Sequence, residues 1–245
     1  MRTLFQKIPA GSVELEVIAC SLDDALAAFH GGASRLEITV RLDQAGLTPP
    51  AELVREILQN VLLPVRVMLR DRAGFSLNQK TKATGNAELE SLKGKAREFA
   101  ALNVEGLVIG HVKNGELDLT TLEEIIKAAP KMRVTVHHAI EATSDPQAAL
   151  RALRNFPNVD RALVSGGAGS LEQRIQRLVQ YRDALGPDRS LIAGGNFTLD
   201  MLKILRDSTG IRIFHLGRAV RTPEESDGDV DSKKVSRAAS LLGLK

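Results

Sequence analysis

The sequence predicts an α/β protein folded as a single (β/α)8 TIM-type barrel spanning residues 1–245. Three observations predict it. Strand-like apolar runs alternate with helical patterns about eight times along the chain. The length of 245 residues matches the roughly 250 typical of one such barrel. Three of the runs also end in small or chemically active residues: Val134-Thr135-Val136-His137-His138, Ile192-Ala193-Gly194-Gly195-Asn196 and Phe214-His215-Leu216-Gly217-Arg218. In a barrel those endings fall together, because working groups sit at the C-terminal ends of the strands. A doubly wound open sheet is the alternative. The even strand count and the lack of a Gly-x-Gly-x-x-Gly turn after the first strand speak against it.

The first unit is a strand over Val13–Ala19 and a helix over Leu22–Phe29, with Ser21 placed to cap that helix. Arg35–Val40 with Ala51–Gln59, Val65–Arg70 with Ala87–Leu102, and Gly106–Gly110 with Leu119–Ala129 form the next three units. In the fifth, Arg133–His138 precedes Pro146–Asn155, and Asp145-Pro146 supplies a cap followed by a first-turn proline. The sixth pairs Arg161–Ser165 with Leu171–Ala184 and is closed by Gly186-Pro187. Ser190–Gly194 with Thr198–Arg206, and Arg212–Gly217 with Asp231–Leu242, complete the set. Two longer connections, Arg41–Pro50 and Asp71–Asn86, emerge on the catalytic face, where either could serve as a lid.

Composition narrows the class. The chain has no Trp, one Tyr and seven Phe, so its core must be built from Val, Ile, Leu and Ala, as suits parallel strands covered on both faces. A net charge of +3 with interspersed signs gives no basic groove, and no nucleic-acid partner is expected. No apolar run approaches the roughly 20 residues that span a bilayer, so no membrane partner is expected. Residues Met1 to Ser12 carry no leader pattern. The lone Cys20 cannot form an intrachain disulfide and fits a reducing cytoplasm. The expected partner is a small anionic molecule or a metal ion, with a homo-oligomer (dimer or tetramer) also allowed.

Side chains alternate along a strand. If the apolar sets face the helices, Glu16, Ile18 and Cys20 of the first strand face the lumen, with Arg35, Glu37 and Thr39 of the second and Arg66, Met68 and Arg70 of the third. Thr135 and His137 join them, as do Ile213, His215 and Gly217. Charges inside a barrel must pair or reach solvent. Glu16, Arg35 and Arg66 are expected to form a structural ion-pair network. Glu37, Arg70, His137 and His215 are expected at the mouth.

A series of motifs carries a resemblance. In order they are Gly31-Gly32-Ala33-Ser34-Arg35-Leu36-Glu37, Gly46-Leu47-Thr48-Pro49, Pro64-Val65-Arg66-Val67-Met68-Leu69-Arg70-Asp71-Arg72 and Glu105-Gly106-Leu107-Val108-Ile109-Gly110. Then come Val134-Thr135-Val136-His137-His138-Ala139, Asp145-Pro146, Ser165-Gly166-Gly167 and Phe214-His215. Together they resemble the CutC family, described as copper homeostasis proteins with TIM-type barrels. The chain departs from the family pattern where members often carry cysteines, having Ile18 and Thr39 instead. It also reads His137-His138-Ala139-Ile140-Glu141 where the family reads His-Arg-Ala-Phe-Asp, and Gly194-Gly195-Asn196 in place of a glycine triplet.

The resemblance implies copper binding, with His137, His215 and Cys20 as metal ligands and Glu37 as a further candidate. Without the two cysteines, weak copper(I) affinity is expected, because that soft ion prefers thiolate. An enzyme is the other reading. Gly194-Gly195 and Gly217-Arg218, with Gly166-Gly167, fall where barrels commonly bind phosphate, although each glycine alone could simply make a tight turn. Glu37 and His137 could then exchange protons with a small phosphorylated or carboxylated substrate that Arg70 and Arg72 hold. Isomerisation, aldol-type cleavage or hydrolysis would be the reaction class. No Lys falls at an inward strand end, which counts against a Schiff base. A barrel serving only as a scaffold is the third reading.

Overall fold

A computed structural model describes residues 11–77 and 82–245 of the chain. The eight expected strands are present and close into a parallel barrel. They are β1 (Glu14–Ala19), β2 (Arg35–Ile38), β3 (Val65–Met68), β4 (Gly106–Ile109), β7 (Arg133–Val136), β8 (Val159–Val164), β9 (Ser190–Gly194) and β10 (Ile213–Leu216). Between them on the outside lie α1 (Leu22–Gly31), α2 (Ala51–Asn60), α3 (Lys82–Ala101), α4 (Leu119–Ala128), α5 (Pro146–Ala152), α6 (Leu171–Leu185), α7 (Met201–Thr209) and α8 (Ser232–Leu241). The remaining strands are two short hairpins at the barrel mouth: β5 (Val112–Lys113) with β6 (Glu116–Leu117), and β11 (Arg221–Thr222) with β12 (Asp229–Val230).

Local chemistry sets the element ends. Ser21 caps α1 by accepting from the Asp24 N–H, and Gly32 ends it at φ 94°, a left-handed conformation that glycine adopts without steric cost. Asp145 caps α5 directly ahead of Pro146. Ser170 and Gln173 form a reciprocal capping box on α6. Helix α3 starts at Lys82 rather than at Ala87, which shortens the expected Asp71–Asn86 connection. Residues 78–81 of that connection, and residues 1–10 of the N-terminal segment, lie outside the described residues. The described part of the connection is tied down: the Asp71 carboxylate accepts from Thr48 Oγ1 at 3.1 Å and Lys95 Nζ at 2.8 Å.

Most apolar burial lies between the strands and the helices, in one cluster that includes Leu15, Val17, Leu36, Val65, Leu107 and Phe214. The lumen has a smaller apolar cluster, Leu163, Ile192 and Ile213. Its N-terminal end is filled by ions. Arg35 pairs with Glu14 and Glu105. Fully buried Arg66 donates to Asp160 Oδ2 at 2.7 Å, Thr135 Oγ1 at 2.7 Å and Glu105 Oε2 at 3.1 Å, and Arg161 Nη1 donates to Glu14 Oε2 at 3.0 Å. The expected network of Arg35 and Arg66 is therefore present, but its carboxylates are Glu14, Glu105 and Asp160. Glu16, expected among them, instead bonds His215 Nδ1 at 2.8 Å. The register explains the change: Glu16 lies opposite His215 across β1–β10, one inward-facing position above Glu14.

No helix among the described residues is long and apolar enough to cross a membrane.

Candidate functional site

A cavity of about 870 Å³ opens at the C-terminal ends of the strands, with Glu37, Arg70, His137, His138, His215 and Arg218 in its lining. That volume falls in the range of roughly 300–1,000 Å³ of small-molecule sites.

Strand register assembles its floor. Glu16 faces His215, and Glu37 of β2 lies opposite Ile18 of β1, so β10, β1 and β2 deliver three ionisable groups to one point. Glu16, Glu37 and His215 each offer a donor atom within 4.8 Å of the other two. One oxygen of each carboxylate, Glu16 Oε2 and Glu37 Oε2, is buried with no hydrogen-bond partner among the described residues. Burial lifts the Glu37 carboxyl to about 7; the Glu16 charge adds to the rise, while His215 and Arg70 oppose it. Burial would raise Glu16 too, but its bond to His215, with the charges of His215, Arg35 and Arg161, holds it at about 2. Burial disfavours a proton on His215, yet Glu37 and Glu16 raise its proton affinity above the ordinary 6.5. Two adjacent carboxyls driven apart in this way can divide acid and base roles.

His137 stands apart from this cluster. Its Nδ1 accepts the Ala139 N–H at 3.2 Å, and its buried Nε2 has no partner among the described residues. Burial, then the Arg70 charge, holds its proton affinity well below the ordinary value. A neutral ring accepting at Nδ1 carries its proton at Nε2, so His137 holds a buried donor beside the cavity.

Arg70 reaches the mouth, but its guanidinium donates to the carbonyls of Gly46 at 2.9 Å and Gln44 at 2.7 Å. It thereby pins the Arg41–Pro50 connection, and Thr39 Oγ1 does the same by donating to Leu47 O at 2.8 Å. That candidate lid is an anchored cavity wall. Arg72 lies beyond the end of β3, is exposed, and is absent from the lining, so it does not join Arg70 in a clamp.

Cys20 is displaced as well. The strand ends at Ala19 and the chain turns into α1, so alternation no longer aims residue 20 into the lumen. The Cys20 thiol lies 3.7 Å from Arg221 Nη2, outside the cavity lining, and burial pushes it up to about 11. It is a protonated thiol outside the lining that His137 and His215 share.

The glycines divide. A side chain on Gly166 would meet the Arg174 carbonyl oxygen at 2.7 Å, and one on Gly194 would meet Leu163 at 2.7 Å. These two serve close packing and do not line the cavity. Gly167, Gly195, Gly217 and Arg218 do line it. Gly195 has φ +95° and its N–H is directed along the β9–β10 ladder toward His215, whereas the Gly217 N–H has no hydrogen-bond partner among the described residues. The Arg218 guanidinium turns to the mouth and donates to Asn196 Oδ1 at 2.6 Å.

Several site residues carried too weak a signal in the sequence. Arg174 of α6 donates to Ser165 O at 2.9 Å and Gly195 O at 2.7 Å, joining the loops after β8 and β9. Glu141 accepts at one oxygen from His138 Nδ1 (3.1 Å), Ser165 N (2.8 Å) and Ser165 Oγ (2.9 Å). The His-x-x-Glu spacing was the available clue to that pair.

The CutC family profile matches residues 13–220. The chain belongs to the CutC family. Among its relatives, a CutC family protein of Xanthomonas campestris pv. campestris is 29% identical over 241 residues, covering 94% of this chain and 98% of the relative. The mouse protein named copper homeostasis protein cutC homolog is 28% identical over 228 residues, covering 93% and 80%. A crystal structure of CutC from Streptococcus agalactiae aligns with a TM-score of 0.75 at 21% identity, covering 84% and 98%. At that identity it supports the barrel fold of the CutC family.

Proposed function

We propose that this CutC-family barrel serves copper homeostasis by binding a divalent ion, copper(II) foremost, at the floor of its mouth. The observation that carries the reading is the convergence of Glu16, Glu37 and His215 within 4.8 Å. Two carboxylates and an imidazole suit divalent ions, among which copper(II) heads the affinity order. Copper(I) lacks the thiolate it prefers: Ile18 and Thr39 offer none, and the Cys20 thiol, at about 11, stays protonated. Cytoplasmic placement, which a lone cysteine fits, belongs to this reading.

Calorimetric titration of metal-free protein with copper(II) tests it. One equivalent is expected to bind, with affinity falling at least about tenfold, or 1.4 kcal/mol, in both Glu37→Gln and His215→Gln. Equal affinity in the wild type and both variants contradicts the reading.

A second reading rests on the cavity itself. At about 870 Å³ it has room for far more than one ion, and the divided Glu16–Glu37 pair fits proton transfer on a small anionic metabolite.

A further inference from the structure

The metal reading leaves the opposite wall of the cavity unused, and that wall holds a second ionisable pair. His138 has Glu141 three residues on. Half-buried Glu141 would be harder to ionise for its burial alone, but its bonds to His138 and Ser165 hold its carboxyl below the ordinary value. An ionised carboxylate can only accept, so His138 Nδ1 at 3.1 Å must carry a proton. Ser165 locks the acceptor in place: its N–H and its Oγ–H both donate to the same Glu141 oxygen. The Gly167 N–H in turn donates to Ser165 Oγ at 3.0 Å, leaving that hydroxyl's own proton for Glu141.

In the neutral ring with Nδ1 so committed, the free lone pair is on His138 Nε2. A Cβ placed on Gly195 would lie 3.3 Å from His138 Cε1 and 3.7 Å from Nε2, so the ring edge lies against Gly195. Beside it the Gly217 N–H is unpartnered among the described residues, and Gly217 and Arg218 line the same cavity. Glycine is required at 195 on two counts: its φ is +95°, and a side chain would also meet Ser165 Cβ at 2.8 Å.

We propose that His138 is a general base, positioned by Glu141, acting on a small molecule whose phosphate or carboxylate group is held beside Gly195 by the Gly217 N–H group and Arg218. Nε2 takes a proton from the bound molecule or from a water attacking it. The Glu141 carboxylate stabilises the imidazolium formed, which then returns the proton to the product or to solvent. No oxidant, reductant or metal enters the step. The proposal goes beyond the ion at Glu16, Glu37 and His215 and stands on different side chains, so either can fail alone.

The test uses the full chain, metal-free, in two measurements. Long-range nitrogen–proton NMR reads the tautomer of His138. Nδ1 should be protonated and Nε2 bare in the wild type, with that preference lost in Glu141→Gln, a signature that mere loss of packing would not produce. Hydrolysis of 4-nitrophenyl acetate then reads the base: Nε2 accepts a proton from water, water oxygen bonds the carbonyl carbon, and 4-nitrophenolate leaves as acetate forms. His138→Gln should lower the rate above buffer by about tenfold or more, inorganic phosphate should slow the wild type competitively, and His30→Gln, on the outer face of α1, should change nothing. A protonated Nε2 in the wild type, an undiminished rate in His138→Gln, or indifference to phosphate would each overturn the proposal.

Discussion

Replacing Glu37 by Gln should change how stability depends on pH, and the structure gives both the sign and the size. The carboxyl ionises near the ordinary 4.5 when unfolded and at about 7 when folded. Between these values the folded state holds a proton that the unfolded state has lost, so stability falls as pH rises through the window. The difference, 7 − 4.5, at about 1.4 kcal/mol per tenfold change in proton affinity, amounts to about 3 kcal/mol. The residue is 2% exposed, so solvent screening removes little of it. His215, also raised, adds a loss of the same sign above the ordinary histidine range, whereas Glu16, lowered from 4.5 to about 2, loses its contribution as pH falls between those two values. Gln carries no charge at any pH. Urea denaturation of metal-free protein at about pH 5 and about pH 8 should therefore show Glu37→Gln gaining on the wild type by roughly 3 kcal/mol across that interval. A gap that is constant with pH, or one that moves against the variant as pH rises, would refute the assignment of Glu37 as a buried neutral acid.

The remaining predictions are independent of one another. Arg66→Met should destabilise the barrel by about 3 kcal/mol in urea denaturation, because it strips the counter-charge from Glu105 and Asp160; an unchanged midpoint would show the lumen network to be dispensable. Cys20→Ser should leave copper(II) affinity unaltered by calorimetry, since the thiol lies outside the cavity lining. Gly195→Asp should abolish phosphate-induced amide shifts in the loops after β8, β9 and β10, because its side chain must enter the space of Ser165 and His138. Shifts that persist in this variant would place the anion elsewhere.

The sequence made the barrel legible because each strand is a compact apolar run between helix signals, and strand alternation then correctly turned Glu37, His137 and His215 inward. Parity failed where the strand stopped. Cys20 follows the last residue of β1 and so does not obey the alternation that was extended to it, and Arg72, expected to hold substrate with Arg70, lies exposed beyond β3. Depth in the lumen was also hidden: Glu16 and Glu14 share one face, and only the register across β1–β10 decides that Glu14 joins the arginines while Glu16 meets His215. The Glu141–Ser165 and Arg174–Gly195 bonds join residues 24 and 21 positions apart, from loops brought together only by barrel closure. Ser165 and Gly195 could be read singly, but their partners could not.

The most direct test of the metal site is electron paramagnetic resonance of the protein loaded with one equivalent of copper(II). A spectrum with nitrogen coupling from one imidazole is expected. It should disappear in His215→Gln and persist in His137→Gln and Cys20→Ser. Loss of the signal in Cys20→Ser, or its survival in His215→Gln, would contradict an ion held by Glu16, Glu37 and His215.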